Sequence, residues 1–268
     1  MSFTVNEVRA ESWSHLQDLL FTGAWRNTIG RFRSPYAFRG VSSVAHASLT
    51  TSLQRMGTDP ATIERHLLRN FRKYATFEPD SRLIGSPWEW LALAQHHGLP
   101  TRLLDWTYSP FVALHFATQN LSGMDQDALV WCVNFEAAHE RLPRTLLDAL
   151  HSEGSNVFTV AMLQAAAADL SAFDELAEQP VALFIEPPSL DARIVNQFAL
   201  FSLPSSPRLR LDELLQQREA SYRRIIIPAK LKWEIRDKLD QANITERVLF
   251  PGLDGLSQWL KRYFTTRA

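Results

Sequence analysis

Residues 95–110, QHHGLPTRLLDWTYSP, gather many of the chain's reactive side chains: His96, His97, Arg102, Asp105 and the hydroxyls of Thr101, Thr107, Tyr108 and Ser109. A polar stretch this dense, framed by two apolar ones, is costly unless its groups pair or bind something. Pairing of Arg102 with Asp105 would satisfy two of them. Adjacent histidines raise the question of a metal. Zinc takes three or four ligands at regular spacings, and no cysteine pair or HExxH accompanies His96-His97, so no metal is expected. Arg39 is the second outlier. It stands between Phe38 and Gly40 in an aromatic stretch, either as a surface residue or as an anion ligand, and the glycine would permit close approach. Cys132 lies in an apolar run and reads as core rather than as a nucleophile. The sequence has no GxSxG, GxxxxGK[ST] or GxGxxG. Those absences argue against α/β-hydrolase, P-loop and Rossmann chemistry.

The elements that must position these residues follow from spacing and punctuation. The first candidate helix covers 8–20, with Val8, Leu16, Leu19 and Leu20 facing inward. Residues 36–40 form a short aromatic strand. Residues 60–76 read as a helix with Pro60 in its first turn and Ile63, Leu67, Leu68 and Phe71 at helical spacing. Ser86-Pro87-Trp88-Glu89 is a capping-box start for a helix to about Gln95. Ser109-Pro110 repeats that signal for a buried helix over 111–120. A buried strand covers 128–135. Residues 136–178 are rich in Ala, Leu and acids, and are expected to form a separate, insertion-like helical lobe. Strands are expected over 181–185, 193–203 and 222–227, and helices over 229–241 and 253–264. Without regular βαβ alternation, the fold class is α+β, in a single domain over 1–268.

Of the 268 residues, 46% are hydrophobic and 21% charged, which excludes a disordered chain or a collagen. One cysteine cannot make an internal bridge, which fits a reducing, cytoplasmic setting. No apolar run approaches the ~18 residues of a membrane helix, and the N-terminal stretch lacks the basic start and apolar core of a signal peptide, so no membrane role is expected. Charge is unevenly spread. Residues 1–120 carry 12 basic and 9 acidic side chains, 121–190 carry 2 and 11, and 191–268 carry 14 and 9. Arginine supplies 23 of the 28 cations. Its planar donor fork suits phosphate and carboxylate, although genomic base composition explains the same bias.

Four blocks together resemble the FRG-domain family. They are Phe38-Arg39-Gly40, the stretch AQHHGLPTRLLDWTYSPFVALHFA (94–117), Arg193-Ile194 with Gln197 and Phe201, and LFPGLDGL (249–256). A second resemblance is to the ADP-ribosyltransferase layout. It rests on Arg39-Gly40 on an early strand, then Thr107-x-Ser109, Ala113 and Phe116-Ala117. That resemblance implies a split mixed sheet and NAD as substrate. Arg39 would grip the NAD phosphate or ribose by charge-assisted hydrogen bonds. Thr107 and Ser109 would stand for the hydroxyl motif. Gln197, on a third strand, would take the place of a glutamate that steadies oxocarbenium charge as nicotinamide leaves. Gly40, His97, Arg102, Asp105, Trp106 and Tyr108 would line the nucleotide pocket, with the two aromatics free to stack on nicotinamide. Glutamine cannot act as a base, so Glu186, Asp105 or a histidine would have to supply the charge. Ser109 as a helix cap and Gln197 as a core amide remain competing readings.

The resulting expectation is an ADP-ribosyltransferase or NAD glycohydrolase acting on NAD or a related nucleotide. A bacterial toxin or anti-phage role is compatible with it, though the sequence does not display one. Two other classes compete. One is a nucleotide- or nucleic-acid-binding protein, motivated by the arginine excess. The other is a protein-interaction module that uses the acidic 136–178 segment.

Overall fold

A computed structural model describes residues 6–76, 84–217 and 221–266. The first five residues of the N-terminal stretch discussed above lie outside them. Ten strands are present among the described residues: β1 (Glu7–Arg9), β2 (Trp25–Arg26), β3 (Arg31–Phe32), β4 (Tyr36–Val41), β5 (Leu104–Thr107), β6 (Ala128–Asn134), β7 (Phe158–Thr159), β8 (Ala182–Glu186), β9 (Ala199–Pro204) and β10 (Tyr222–Ile227). Eight build one mixed sheet in the order β1-β10-β6-β4-β5-β9-β8-β7, while β2 and β3 form a small hairpin. The α+β class follows directly.

This sheet has a seam. Strand β4 pairs with β6 along its whole length, from Tyr36↔Asn134 to Val41↔Leu129. Strand β5 pairs with β9 over four positions. Between them, β4 and β5 share a single register pair, Phe38↔Thr107. Beyond that pair the two halves of the sheet part.

Proline and serine punctuation places the helices as expected. Ser86 and Glu89 complete a capping box for the helix Pro87–His96, and Ser109 caps Pro110–Thr118. The Pro110–Thr118 helix crosses β4 at Gly40. A Cβ there would lie 1.9 Å from the Ala113 carbonyl oxygen and 2.6 Å from the Ala117 nitrogen. Gly40 is therefore demanded by backbone packing, whatever binds nearby. On this face Phe38, Ala113, Leu114, Cys132 and Ile225 join one apolar cluster. Burial pushes the Cys132 thiol up to about 12, as expected of core sulfur.

Three expectations are corrected. The segment 8–20 opens with β1, a parallel edge partner of β10, and its helix is Trp13–Phe21. The span 193–203 is divided: Ala192–Asn196 is a short helix capped by Asp191, Gln197 ends it, and Phe198 at φ 50° turns the chain into β9. Gln197 is therefore off the strand. The 136–178 segment is built into the core and is not a separate lobe. Leu146, Leu150, Phe158, Leu163 and Phe173 pack with Trp88, Leu183 and Phe201. Its strand β7 forms an edge of the main sheet.

Candidate active site

A cleft of about 1090 Å³ opens where β4 and β5 part. One wall comes from β4 and the 46–55 segment behind it. The floor is β5, together with the end of the Pro87–His96 helix. The opposite wall comes from 191–199 and the LFPG turn at 249–252. Arg39, Gly40, His97, Asp105, Thr107 and Gln197 all reach this one cleft. Residues up to 158 positions apart in sequence are thus gathered by the seam, since Arg39 and Gln197 sit on opposite sides of it.

Arg39 is half-buried. Its Nη1 donates to the Asp105 backbone carbonyl, its one partner among the described residues. Among the described residues no carboxylate lies in ion-pair contact with it. Burial lowers its pKa from the usual arginine value, the Asp105 charge works against that, and Arg55 adds to it. Asp105 is exposed, and its Oδ1 accepts from Gln95 Nε2 at 3.0 Å. Gln95 in turn accepts from the Thr101 hydroxyl, so the amide is oriented with its donors toward the carboxylate. His97 is exposed at the helix end, edge-on to His96. His96 Nε2 lies 2.6 Å from Asp191 Oδ2. Burial pushes the Asp191 carboxyl up, but the Ile194 N–H and the His96 contact outweigh it and hold Asp191 below the usual carboxylate range.

Thr107 and Gln197 meet directly. The Thr107 hydroxyl donates to the Gln197 carbonyl at 2.7 Å and accepts from the Ser109 N–H at 3.0 Å. Thr107 is buried, so its hydroxyl is spent on joining β5 to the 192–197 turn. Gln197 Nε2 donates to the Leu249 carbonyl at 3.0 Å, and Asn196 Nδ2 to that of Val248 at 2.7 Å. The Arg193 guanidinium lies 5.2 Å from the centroid of the Phe250 ring. Through these contacts the 249–256 segment is tied to the 193–197 segment. Gly255 seats the 249–256 segment, because a Cβ there would stand 1.8 Å from the Phe250 carbonyl oxygen.

Of the remaining expected site residues, Arg102, Tyr108 and Ser109 do not line the cleft, and Trp106, which does, has its indole N–H engaged. Arg102 does not reach the cleft. It is buried, bonded to Glu64 at 2.8 and 2.5 Å and to Asp174. Its partner is therefore not Asp105. Strand alternation sends the Trp106 ring to the face opposite Asp105. There Trp106 packs against Phe184 and donates to Ser202 Oγ at 2.9 Å. The Tyr108 ring lies between Phe135 and Phe198 and its hydroxyl donates to Glu186. Neither aromatic is free to stack on a ligand, and Glu186 is engaged outside the cleft. Ser109 Oγ caps the next helix by accepting from Val112 N–H at 3.3 Å.

Sequence reasoning missed Arg55 and its neighbours His46, Ser48 and Ser52, which line the β4-side wall. His46 and Arg55 lie in short 3₁₀ turns and Ser48 and Ser52 in the stretch between them, with no periodicity to mark them. Among the described residues no group of three His, Cys, Asp or Glu side chains is placed to hold a metal, and no helix is long and apolar enough to cross a membrane.

No curated protein matches the chain, and no solved structure does. Residues 34–127 match the family model of the FRG domain. That span carries β4 with Phe38-Arg39-Gly40, the 46–55 wall, the Pro87–His96 helix, β5 and the Pro110–Thr118 helix, which is one wall and the floor of the cleft.

Proposed function

We propose that the cleft binds NAD and breaks its nicotinamide–ribose bond, as an ADP-ribosyltransferase or NAD glycohydrolase. The observation that carries this reading is the convergence of Arg39, Asp105 and Gln197 on one cleft at the seam of a split mixed sheet. Free N–H donors on Arg39 would hold a phosphate of the dinucleotide. Gln197, with its Nε2 bound to Leu249, offers its amide oxygen to a ribose hydroxyl. Asp105 supplies the carboxylate that glutamine cannot. As the C–N bond breaks, its electron pair returns to the pyridinium nitrogen and neutralises it. The oxocarbenium charge left on the ribose is steadied by Asp105. Water or an acceptor nucleophile then bonds to the ribose carbon and releases a proton.

The charge of the cleft favours a small pocket over a nucleic-acid groove. Arg39, Arg55 and Arg193 are matched in number by Asp105, Asp191 and Asp254, whereas a backbone-tracking groove needs a net positive surface. The test is incubation with NAD labelled in the adenine half, following nicotinamide release and label transfer. Release by the wild type, lowered about a hundredfold or more in Asp105→Asn, is expected. A wild type that releases no nicotinamide overturns the reading.

A further inference from the structure

The far wall of the cleft mixes its charges, with Arg193 beside Asp191 and Asp254 and with His96 in contact with Asp191, but two cations stand together on the near wall. On the β4 side stand Arg39 and Arg55, with His46, Ser48 and Ser52 beside them. Arg55 donates to the Thr50 carbonyl and, like Arg39, has no carboxylate in ion-pair contact among the described residues. Two of the three cleft carboxylates, Asp191 and Asp254, lie on the opposite wall. Elsewhere in the molecule buried arginines are neutralised: Arg102 by Glu64 and Asp174, Arg262 by Glu246 and Asp240. Two guanidiniums lining one cleft without such partners repel each other and keep most of their donors for something not in the chain. A ligand with two linked anionic groups removes that repulsion at both positions.

We infer that Arg55 and Arg39 are the two jaws of a diphosphate subsite, which holds the diphosphate of a dinucleotide on the 46–55 wall. This rests on the proposed reading for the identity of the whole ligand, but the anion subsite stands on its own residues.

Titration with inorganic pyrophosphate tests the subsite without any turnover. The wild type should bind it more tightly than orthophosphate, with affinity falling as salt rises. Arg55→Ala should weaken pyrophosphate about tenfold or more, Arg55→Lys less, because the ammonium keeps the charge but not the fork. Binding of nicotinamide riboside, which carries the pyridinium and no phosphate, should be unchanged in Arg55→Ala. Equal affinity for orthophosphate and pyrophosphate, or unaltered pyrophosphate binding in Arg55→Ala, overturns the subsite. The two ideas fail separately. Arg55-dependent pyrophosphate binding without nicotinamide release sinks the chemistry and leaves the subsite. Nicotinamide release unaffected by Arg55→Ala does the reverse.

Discussion

Arg102 and Arg39 are both arginines beside the β5 strand, and the molecule treats them in opposite ways. Arg102 is enclosed, and two carboxylates from distant segments, Glu64 and Asp174, take up its donors. Arg39 is half-buried, donates once to a backbone carbonyl and faces a cleft. A buried charge must be matched within the chain or it will not stay buried. A charge at a cleft can be left for a ligand. The first arrangement is what staples the 60–75 helix, the core segment 170–175 and the central block together. The second costs stability unless a partner arrives. The difference separates structure from site between two arginines whose residue type alone looks equivalent.

The largest effect should come from the structural member. Arg102→Ala leaves Glu64 buried without its cation, and should lower unfolding free energy by about 3–5 kcal/mol, read from the urea midpoint. Arg39→Ala should leave that midpoint within about 1 kcal/mol of wild type and lower nicotinamide release about a hundredfold. If the two variants behave alike in both assays, the contrast between them fails.

Acid should erode the satisfied interior selectively. Burial raises the Glu246 carboxyl, yet hydrogen bonds from Arg262 and the charge of Arg236 outweigh it and hold Glu246 at about 2. A carboxyl depressed by folding stabilises above its unfolded pKa, near 4.5, and that contribution disappears as pH falls toward 2. Burial likewise keeps His115 neutral down to about 3 and His139 to about 4. Unfolded histidine takes its proton near 6.5, so acid favours the unfolded chain from there downward. Together these predict a stability that is flat above pH 7 and declines below 6.5, by roughly 6 kcal/mol near pH 4. A midpoint that rises on acidification would contradict the sign.

The smallest effect separates a cap from a catalyst. Ser109→Ala should cost about 1 kcal/mol in stability and leave nicotinamide release unchanged. A large loss of release with normal stability would restore Ser109 to the chemistry.

Much of the scaffold was legible because its signals are local. Ser86-Pro87 and Ser109-Pro110 mark helix starts by capping and by proline's fixed φ, and both hold. The split at 192–199 was not legible from Ile194 and Val195, whose branched side chains favour a strand; Asp191 as N-cap decides otherwise. The acidic 136–178 segment was misjudged because composition shows a solvated face but not which residues behind it meet Trp88 and Phe201. Within the site, of the order Arg39, Thr107-x-Ser109, Gln197, the first, Thr107 and the last line one cleft, while Ser109 caps a helix. Trp106 and Tyr108 pointed to ligand stacking there falsely, since residue type says nothing about which side of a strand a ring takes. Arg55 was invisible because nothing in its turn repeats, and its significance comes from standing across the seam without a carboxylate.

The central claim is that the cleft at the seam recognises NAD through Arg39. The most direct measurement is calorimetric titration of a non-cleavable NAD analogue into the wild type and Arg39→Ala. The account predicts one site per chain in the wild type, weakened about tenfold or more in the variant, with both proteins equally stable. No binding to the wild type, or equal binding to both, would contradict it.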